Sequence, residues 1–454
     1  MPSASQPADR PFARPGEVAS VRHWRADGWF WDQLAYFCLL GGVFTLSWHI
    51  VRFGEANLTL SDGFFLVAVV TLVARGKLNS QPFGPITPLW FFAFILLIGG
   101  LFLSSVINGA ALRWVSVAAQ YSFAFIVVPM MLASWRRLTL DRCIVFFALG
   151  VCLSQLLALI ASSFLTYYDT APLLGNDFIT GTGRVGALSG NSNTNGAMAS
   201  FCLLAILYSA YRSLMPKWLL LLCAGLAIWG LVASASFTSF TLGCVSLLVA
   251  LFILWPARTI ILGIPIIAAF AVLLVSDVPL PDAFEQRVAS ALTEGDLDQA
   301  GTFTGRLEMA IEAWRLSSHT AFIGFGADGY RQVSVYQAPV HVLPLLLLTE
   351  GGLLSLLGFI IILMTLWGLA CSILRKDRVD AAFVVGMLIV FTGFTLAVPH
   401  MYARMWIVPV LLGLIHALKW RPYVPGTGRT TWKRAAAPQH DLADAFSEAA
   451  PSRK

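Results

Sequence analysis

Charge is what this 454-residue sequence has least of: Asp, Glu, Lys and Arg make up 12% of it and hydrophobic residues 57%. Soluble domains carry roughly twice that charge and less apolar residue, so a soluble globular fold is excluded. Mean hydropathy of +0.75 agrees. Also missing is any CxxC pair; the seven cysteines, Cys38, Cys143, Cys152, Cys202, Cys223, Cys244 and Cys371, lie in apolar runs or at their ends. Neither a disulfide framework nor a zinc site follows. The Pro-, Ala-, Ser- and Arg-rich stretch before about Gly28 has no apolar run. It is expected to be a disordered cytoplasmic tail (1–28), not a cleaved signal peptide, and 422–454 is expected to be a second such tail. Asp296 and Asp298 form a DxD-like pair, which reads most simply as solvated loop. No helix-turn-helix, zinc-finger or basic-aromatic motif is present, so the net charge of +6 calls for no nucleic-acid partner.

What is there is a series of long apolar runs. A spanning helix needs about 20 mostly apolar residues. By that measure spans are expected near 31–51, 60–75, 87–108, 112–134, 141–165, 194–212, 218–235, 238–256, 259–276, 340–374, 381–397 and 402–419. This makes an all-α, polytopic membrane protein of about twelve helices, one transmembrane domain over 29–421. Backbone in lipid must bond to itself, which leaves helices for runs this long. The tenth run is long enough for an interfacial helix followed by a span.

Lys and Arg concentrate on the cytoplasmic side of short loops. Arg75 and Lys77, Arg136, Arg137 and Arg142, Arg212 and Lys217, Arg258, Arg375, Lys376 and Arg378, and Lys419 and Arg421 fall in alternate connections. Both termini are therefore expected inside, with 52–59, 109–111, 166–193, 236–237, 277–339 and 398–401 on the opposite, periplasmic face. The excess base is largely used by this topology.

The longest polar interruption, 277–339, returns to the membrane at Pro339-Val340-His341. Within it Leu307, Ile311 and Trp314 recur at i, i+4, i+7, which predicts a short amphipathic helix on the membrane surface, with Thr304 as its cap and Arg306 in its first turn. His341 stands where the polar loop meets a leucine-rich run. A neutral imidazole there can accept a hydroxyl proton, or simply hydrogen-bond at the interface. Arg184 and the run Gly190-Asn191-Ser192-Asn193 precede the sixth span, where a guanidinium and helix-start N–H groups suit an anion. Ordinary turn chemistry, with an Asn cap and a solvated arginine, fits the same residues. Glu350 lies nine residues past His341, roughly half a turn out of phase on an unbroken helix. The two meet only if Pro344 or Gly351-Gly352 breaks it; otherwise Glu350 needs a buried partner. Arg404 beside His400, Tyr402 and Trp406 serves a site or snorkels to headgroups. Trp48, Trp90 and Trp114 read as interface-belt residues.

The order of these motifs resembles the bacterial O-antigen ligase and polysaccharide polymerase superfamily. It is carried by Arg184 with Gly190-Asn191-Ser192-Asn193, Gly305-Arg306 with Trp314, Gly324-Phe325-Gly326 with Tyr330, His341, and Glu350-Gly351-Gly352-Leu353. The resemblance implies a GT-C-like, metal-independent, inverting glycosyltransferase of the inner membrane, without cofactor. Its donor would be a glycan on undecaprenyl diphosphate, its acceptor a glycan or lipid A core hydroxyl, and its surroundings membrane lipid. Arg184, Arg306 and His341 become the catalytic set. Asn191, Asn193, Tyr330, Arg331, Glu350 and Arg404 become substrate-binding; a third outside arginine is either missing or supplied from elsewhere, with Arg404 and Arg331 as candidates. Two rivals remain: a transporter or flippase, which needs polar groups reachable from both sides, and a structural scaffold. Few ionisable residues in mid-span, polar residues gathered on one face and no inverted repeat speak against the first.

Overall fold

The computed structural model describes residues 15–53, 58–261, 281–293, 303–399 and 401–419. They form α1 (Pro15–Phe44), α2 (Leu60–Ala74), α3 (Thr87–Ile107), α4 (Ala111–Ala133), α5 (Arg137–Phe164), α6 (Tyr167–Leu174), α7 (Ser192–Tyr211), α8 (Lys217–Ala233) and α9 (Phe237–Leu254). Then come α10 (Phe303–Thr320), α11 (Leu343–Leu374), α12 (Arg378–Phe394) and α13 (Arg404–Leu418). The protein is mostly helical. Among the described residues, the single sheet is the two-residue pairing of Arg52–Phe53 with Leu58–Thr59. Five helices are long and apolar enough to cross a membrane, Gly84–Ile107, α4, α5, α9 and α11; α2, α8 and α13 are shorter apolar helices. Most of the run expected at 259–276, the Asp296/Asp298 pair, His400 and the tail 422–454 lie outside the described residues.

Helix α1 starts at Pro15, ahead of the boundary placed at Gly28. Proline suits the first helical turn, and Glu17–Asp27 contains no further breaker, so the helix runs through residues that composition marked as tail.

The long tenth run is two helices in one. Gly352 has φ 69° and ψ −172°, which breaks α11 into 343–351 and a second part of full span length. Small residues make that break possible. Ser355 donates from Oγ to the Leu97 carbonyl at 2.7 Å, and a Cβ on Gly100 would lie 2.7 Å from the Gly351 carbonyl oxygen. Helices α3 and α11 are therefore in backbone contact, the close approach that small residues give in membranes. The loop after α10 wedges into the break: Leu353 N–H donates to Ala321 O at 2.7 Å, Phe325 N–H to Thr349 O at 2.8 Å and Gly326 N–H to Glu350 O at 2.9 Å. A side chain on Gly324 would collide with the Glu350 carbonyl carbon at 2.2 Å. The Gly-rich motif is thus a backbone splice between the loop after α10 and the break in α11. Gly352→Ala is expected to cost about 1–3 kcal/mol for the backbone conformation alone, plus a contact at 2.7 Å with Phe322 O; thermal unfolding in detergent reads it as a lowered Tm.

Trp90 is not a belt residue: it is fully buried and donates from its indole to Phe125 O at 2.7 Å. Trp48 and Trp114 are partly buried and bonded to Gly150 O and Ile98 O.

Contacts gather the basic connections at one end of the bundle. Lys77 pairs with Asp32 at 2.6 Å, Arg137 and Arg212 both with Asp380 at 2.8 and 2.7 Å, and Arg212 also with Asp377 at 2.7 Å. There too the buried His416 meets Asp141 at 2.8 Å and Tyr208 at 3.2 Å. Polar residues therefore occupy both ends of the bundle, and the expectation that they gather on one face is corrected; Asp380 sits in the first turn of α12 with Asp377 as its cap, where hydropathy windows dilute them.

Candidate functional site

At the other end, where α1 and α5 stop and α7, α11 and α13 start, lies a cavity of about 330 Å³. Its walls include Asn191, Asn193, Arg306, His341 and Arg404, five of the residues singled out in the sequence, together with His49 and Arg52.

Arg306 comes from α10. That helix rests on the protein through Ala313, which packs with Tyr330, Val340 and Leu346. Ala313, Ser317 and Thr320 are its buried face, while Leu307, Ile311 and Trp314 are exposed. The apolar stripe legible in the sequence therefore faces away from the protein, and small residues invisible to a hydropathy reading make the inward face. The helix starts at Phe303, so Thr304 lies inside it and not at its cap. Glu312 fastens the following loop, accepting from Tyr330 Oη at 2.7 Å, Ser334 Oγ at 2.7 Å and Val335 N–H at 3.0 Å. These bonds hold its carboxyl below the usual range in spite of burial.

His341 is carried between two buried anchors, Val340 and Leu343, with Leu343 N–H bound to Thr395 O at 2.8 Å. Its ring is half-buried; burial and then the Arg306 charge lower its pKa. The imidazole is thus held neutral, the form that accepts a proton.

Arg184 reaches this region from the glycine-rich loop. Its Nε donates to Ser234 O at 3.1 Å and its Nη2 to Asn193 Oδ1 at 2.8 Å. Burial, followed by Arg287 and Arg306, lowers its pKa to about 10, so it stays cationic near neutrality. Underneath, Gln155 Nε2 donates to Asn195 Oδ1 at 2.6 Å, and Asn195 Nδ2 to Val185 O at 3.1 Å. This fully buried amide pair fixes the loop from below.

Asn191 is the cap of α7: its Oδ1 accepts from the N–H of Asn193 and Thr194 at 3.0 and 3.2 Å. Two of the helix-start N–H groups expected to face an anion are taken by this side chain. Anion affinity here falls to the guanidinium groups instead.

Arg287 lies near enough for its charge to bear on Arg184 and Arg306, though neither Arg184 nor Arg287 is among the residues lining the cavity. Burial lowers the pKa of Arg287, and it acts electrostatically on both other arginines. Its helical segment docks through Ala283, Phe284 and Val288 onto Ala235, at the turn between α8 and α9. No local motif marks Arg287; an apolar Phe284/Val288 pair in a polar loop was the available signal.

Tyr330, Arg331 and Glu350 lie off the cavity wall, and Arg404 lies on it. Tyr330 is fully buried, with its hydroxyl bound to Glu312 and to Met309 O. Arg331 is exposed and donates to Gln337 O at 3.0 Å, outside the cavity wall. Glu350 is buried and faces the backbone N–H groups of Asp328 and Tyr330. The helix breaks only after it, so it does not meet His341 in the cavity. Arg404 lines the cavity, but its Nε and Nη2 are bound by both oxygens of Asp62, with the two residues 5% and 4% exposed. Asp62 also completes the capping box of α2, whose N-cap is Thr59, accepting from Thr59 N–H at 2.8 Å and Thr59 Oγ1 at 2.9 Å.

Beyond Arg404 and Gln120, which line both, lies a second cavity of about 470 Å³, walled by Leu58, Leu66, Val115, Ala119 and Phe123. Among the described residues no group of three or more His, Cys, Asp or Glu side chains could hold a metal ion.

Compared with known proteins, the chain matches no protein-family model and no curated protein.

Proposed function

We propose that this chain is a bacterial inner-membrane glycan transferase that moves a glycan from undecaprenyl diphosphate to a sugar hydroxyl on the periplasmic side. The reading includes about twelve spans, a GT-C-like architecture and cytoplasmic termini. The observation that carries it is the single cavity onto which Arg306, His341 and the Asn191/Asn193 turn converge from distant parts of the chain, with Arg184 bonded to Asn193. The motif order that resembles the O-antigen ligase and polymerase superfamily supports it, as does the basic far end of the bundle, which fits the cytoplasm.

In this reading the acceptor hydroxyl oxygen attacks the anomeric carbon while the bond from that carbon to the phosphate oxygen breaks. The bonding pair leaves with the diphosphate, and the hydroxyl proton passes to the neutral ring of His341. Diphosphate is already a weakly basic leaving group, so the protein's main task is cationic stabilisation. Arg184, Arg287 and Arg306 supply it. The apolar cavity past Arg404 accommodates the first isoprene units of the carrier.

Purified protein in detergent, given undecaprenyl diphosphate glycan and acceptor, is expected to transfer glycan undiminished by EDTA. Loss of product on chelation, restored by a divalent cation, contradicts the metal-independent reading. In the same assay Arg331→Ala is expected to stay within about twofold of wild type, since surface changes away from a site usually cost under 0.5 kcal/mol. A loss of tenfold or more would return Arg331 to the site.

A further inference from the structure

His49 belongs to the same cavity as His341, yet it comes from the turn after α1, at the opposite end of the sequence. The turn is tied to the glycine-rich loop by Ile50 N–H donating to Leu188 O at 2.9 Å, and Arg52 Nε donates back to His49 O at 2.7 Å. So the backbone that carries the imidazole is held by Leu188 and Arg52, in a segment separate from α10 and α11. Burial, then the charges of Arg52 and Arg404, lower its pKa to about 4. Among the described residues that line the cavity there is no carboxylate. Its amides and hydroxyls hydrogen-bond but are poor proton acceptors at neutral pH, which leaves two imidazoles as the titratable acceptors. A neutral imidazole offers one N–H donor and one acceptor nitrogen.

We propose that His49 is a second ligand-contacting imidazole, which binds the diphosphate as a neutral N–H donor while His341 takes the hydroxyl proton. This rests on the cavity being a diphosphate site. Arg52, adjacent in the same wall, places positive charge on that side of the cavity, where phosphate oxygens are best accommodated. A neutral donor beside it binds those oxygens without offering a proton to the leaving group.

Diethyl pyrocarbonate, which carbethoxylates neutral imidazoles, tests this on the intact protein in detergent, read by peptide mass spectrometry. The probe ligand is inorganic pyrophosphate, and His319, exposed on α10, reports reagent access. At about ten times the dissociation constant, pyrophosphate is expected to slow labelling of both His49 and His341 about tenfold by simple occupancy, with His319 unchanged. Protection of His341 alone overturns the inference and leaves the diphosphate site standing. Protection of neither overturns both. Protection by a distant closing motion is separated by His49→Ala, which is expected to raise the pyrophosphate concentration for half-protection of His341 about fivefold, the loss of one hydrogen bond. An unchanged half-protection concentration overturns the assignment of a direct contact.

Discussion

Replacing His341 with glutamine is expected to lower glycan transfer by about 10²–10⁴-fold, the range that a positioned general base contributes. Glutamine keeps a hydrogen-bonding side chain of similar reach but takes no proton, so the loss should fall on kcat more than on KM. The pH profile carries a sharper form of the prediction. Burial and Arg306 lower the His341 pKa from the ordinary 6.5. On the proposed mechanism the neutral ring is the active form, and protonation on acidification removes it. Activity should therefore persist below pH 6.5 and fall only at more acid pH. Arg306→Ala removes one of the causes, so the acid limb should move upward, toward the ordinary histidine value. An acid limb that stays put in Arg306→Ala, or that survives in His341→Gln, would detach the proton acceptor from His341.

The second large effect concerns folding. Asp62→Ala is expected to destabilise the protein by about 3–5 kcal/mol, because it leaves a buried guanidinium unpaired. Asp62 is 4% exposed, bonded to Arg404 on one side and to its own helix cap on the other. Arg404→Leu strands the carboxylate instead and should cost a similar amount. The double replacement, Asp62→Ala with Arg404→Leu, should be milder than the sum of the two, since neither charge is left alone. Thermal unfolding in detergent, set against transfer activity, makes the distinction: an Arg404 that mainly binds substrate would lose activity with its Tm unchanged.

Much of the scaffold was legible in the sequence because long apolar runs have one solution in lipid. The helices α2 to α5, α7 to α9 and α11 to α13 begin and end within a few residues of the expected runs. Arg306, His341, Asn191 and Asn193 were legible as well, through their positions at loop-to-helix returns, and the structure places them on one cavity. Partnerships were not legible. Nothing local tells that Asp62 takes Arg404 across the whole length of the chain, or that Glu312 takes Tyr330. His49 was missed for the same reason: it reaches the cavity through docking of its segment by Ile50, as Arg287 comes near Arg184 and Arg306 through Phe284 and Val288. The α10 stripe shows a different limit. Periodicity found the helix, but the face that packs is built from Ala313, Ser317 and Thr320, which carry almost no hydrophobic signal.

The central claim is that guanidinium groups from three separate segments and one neutral imidazole share a single ligand. A cryo-EM map of the protein with undecaprenyl diphosphate tests it most directly. The account predicts phosphate density within hydrogen-bonding reach of Arg184 and Arg306, next to the His341 ring, with the prenyl chain leading toward Phe123. Headgroup density at the Arg137–Asp380–Arg212 end, or phosphates clear of all three side chains, would contradict it.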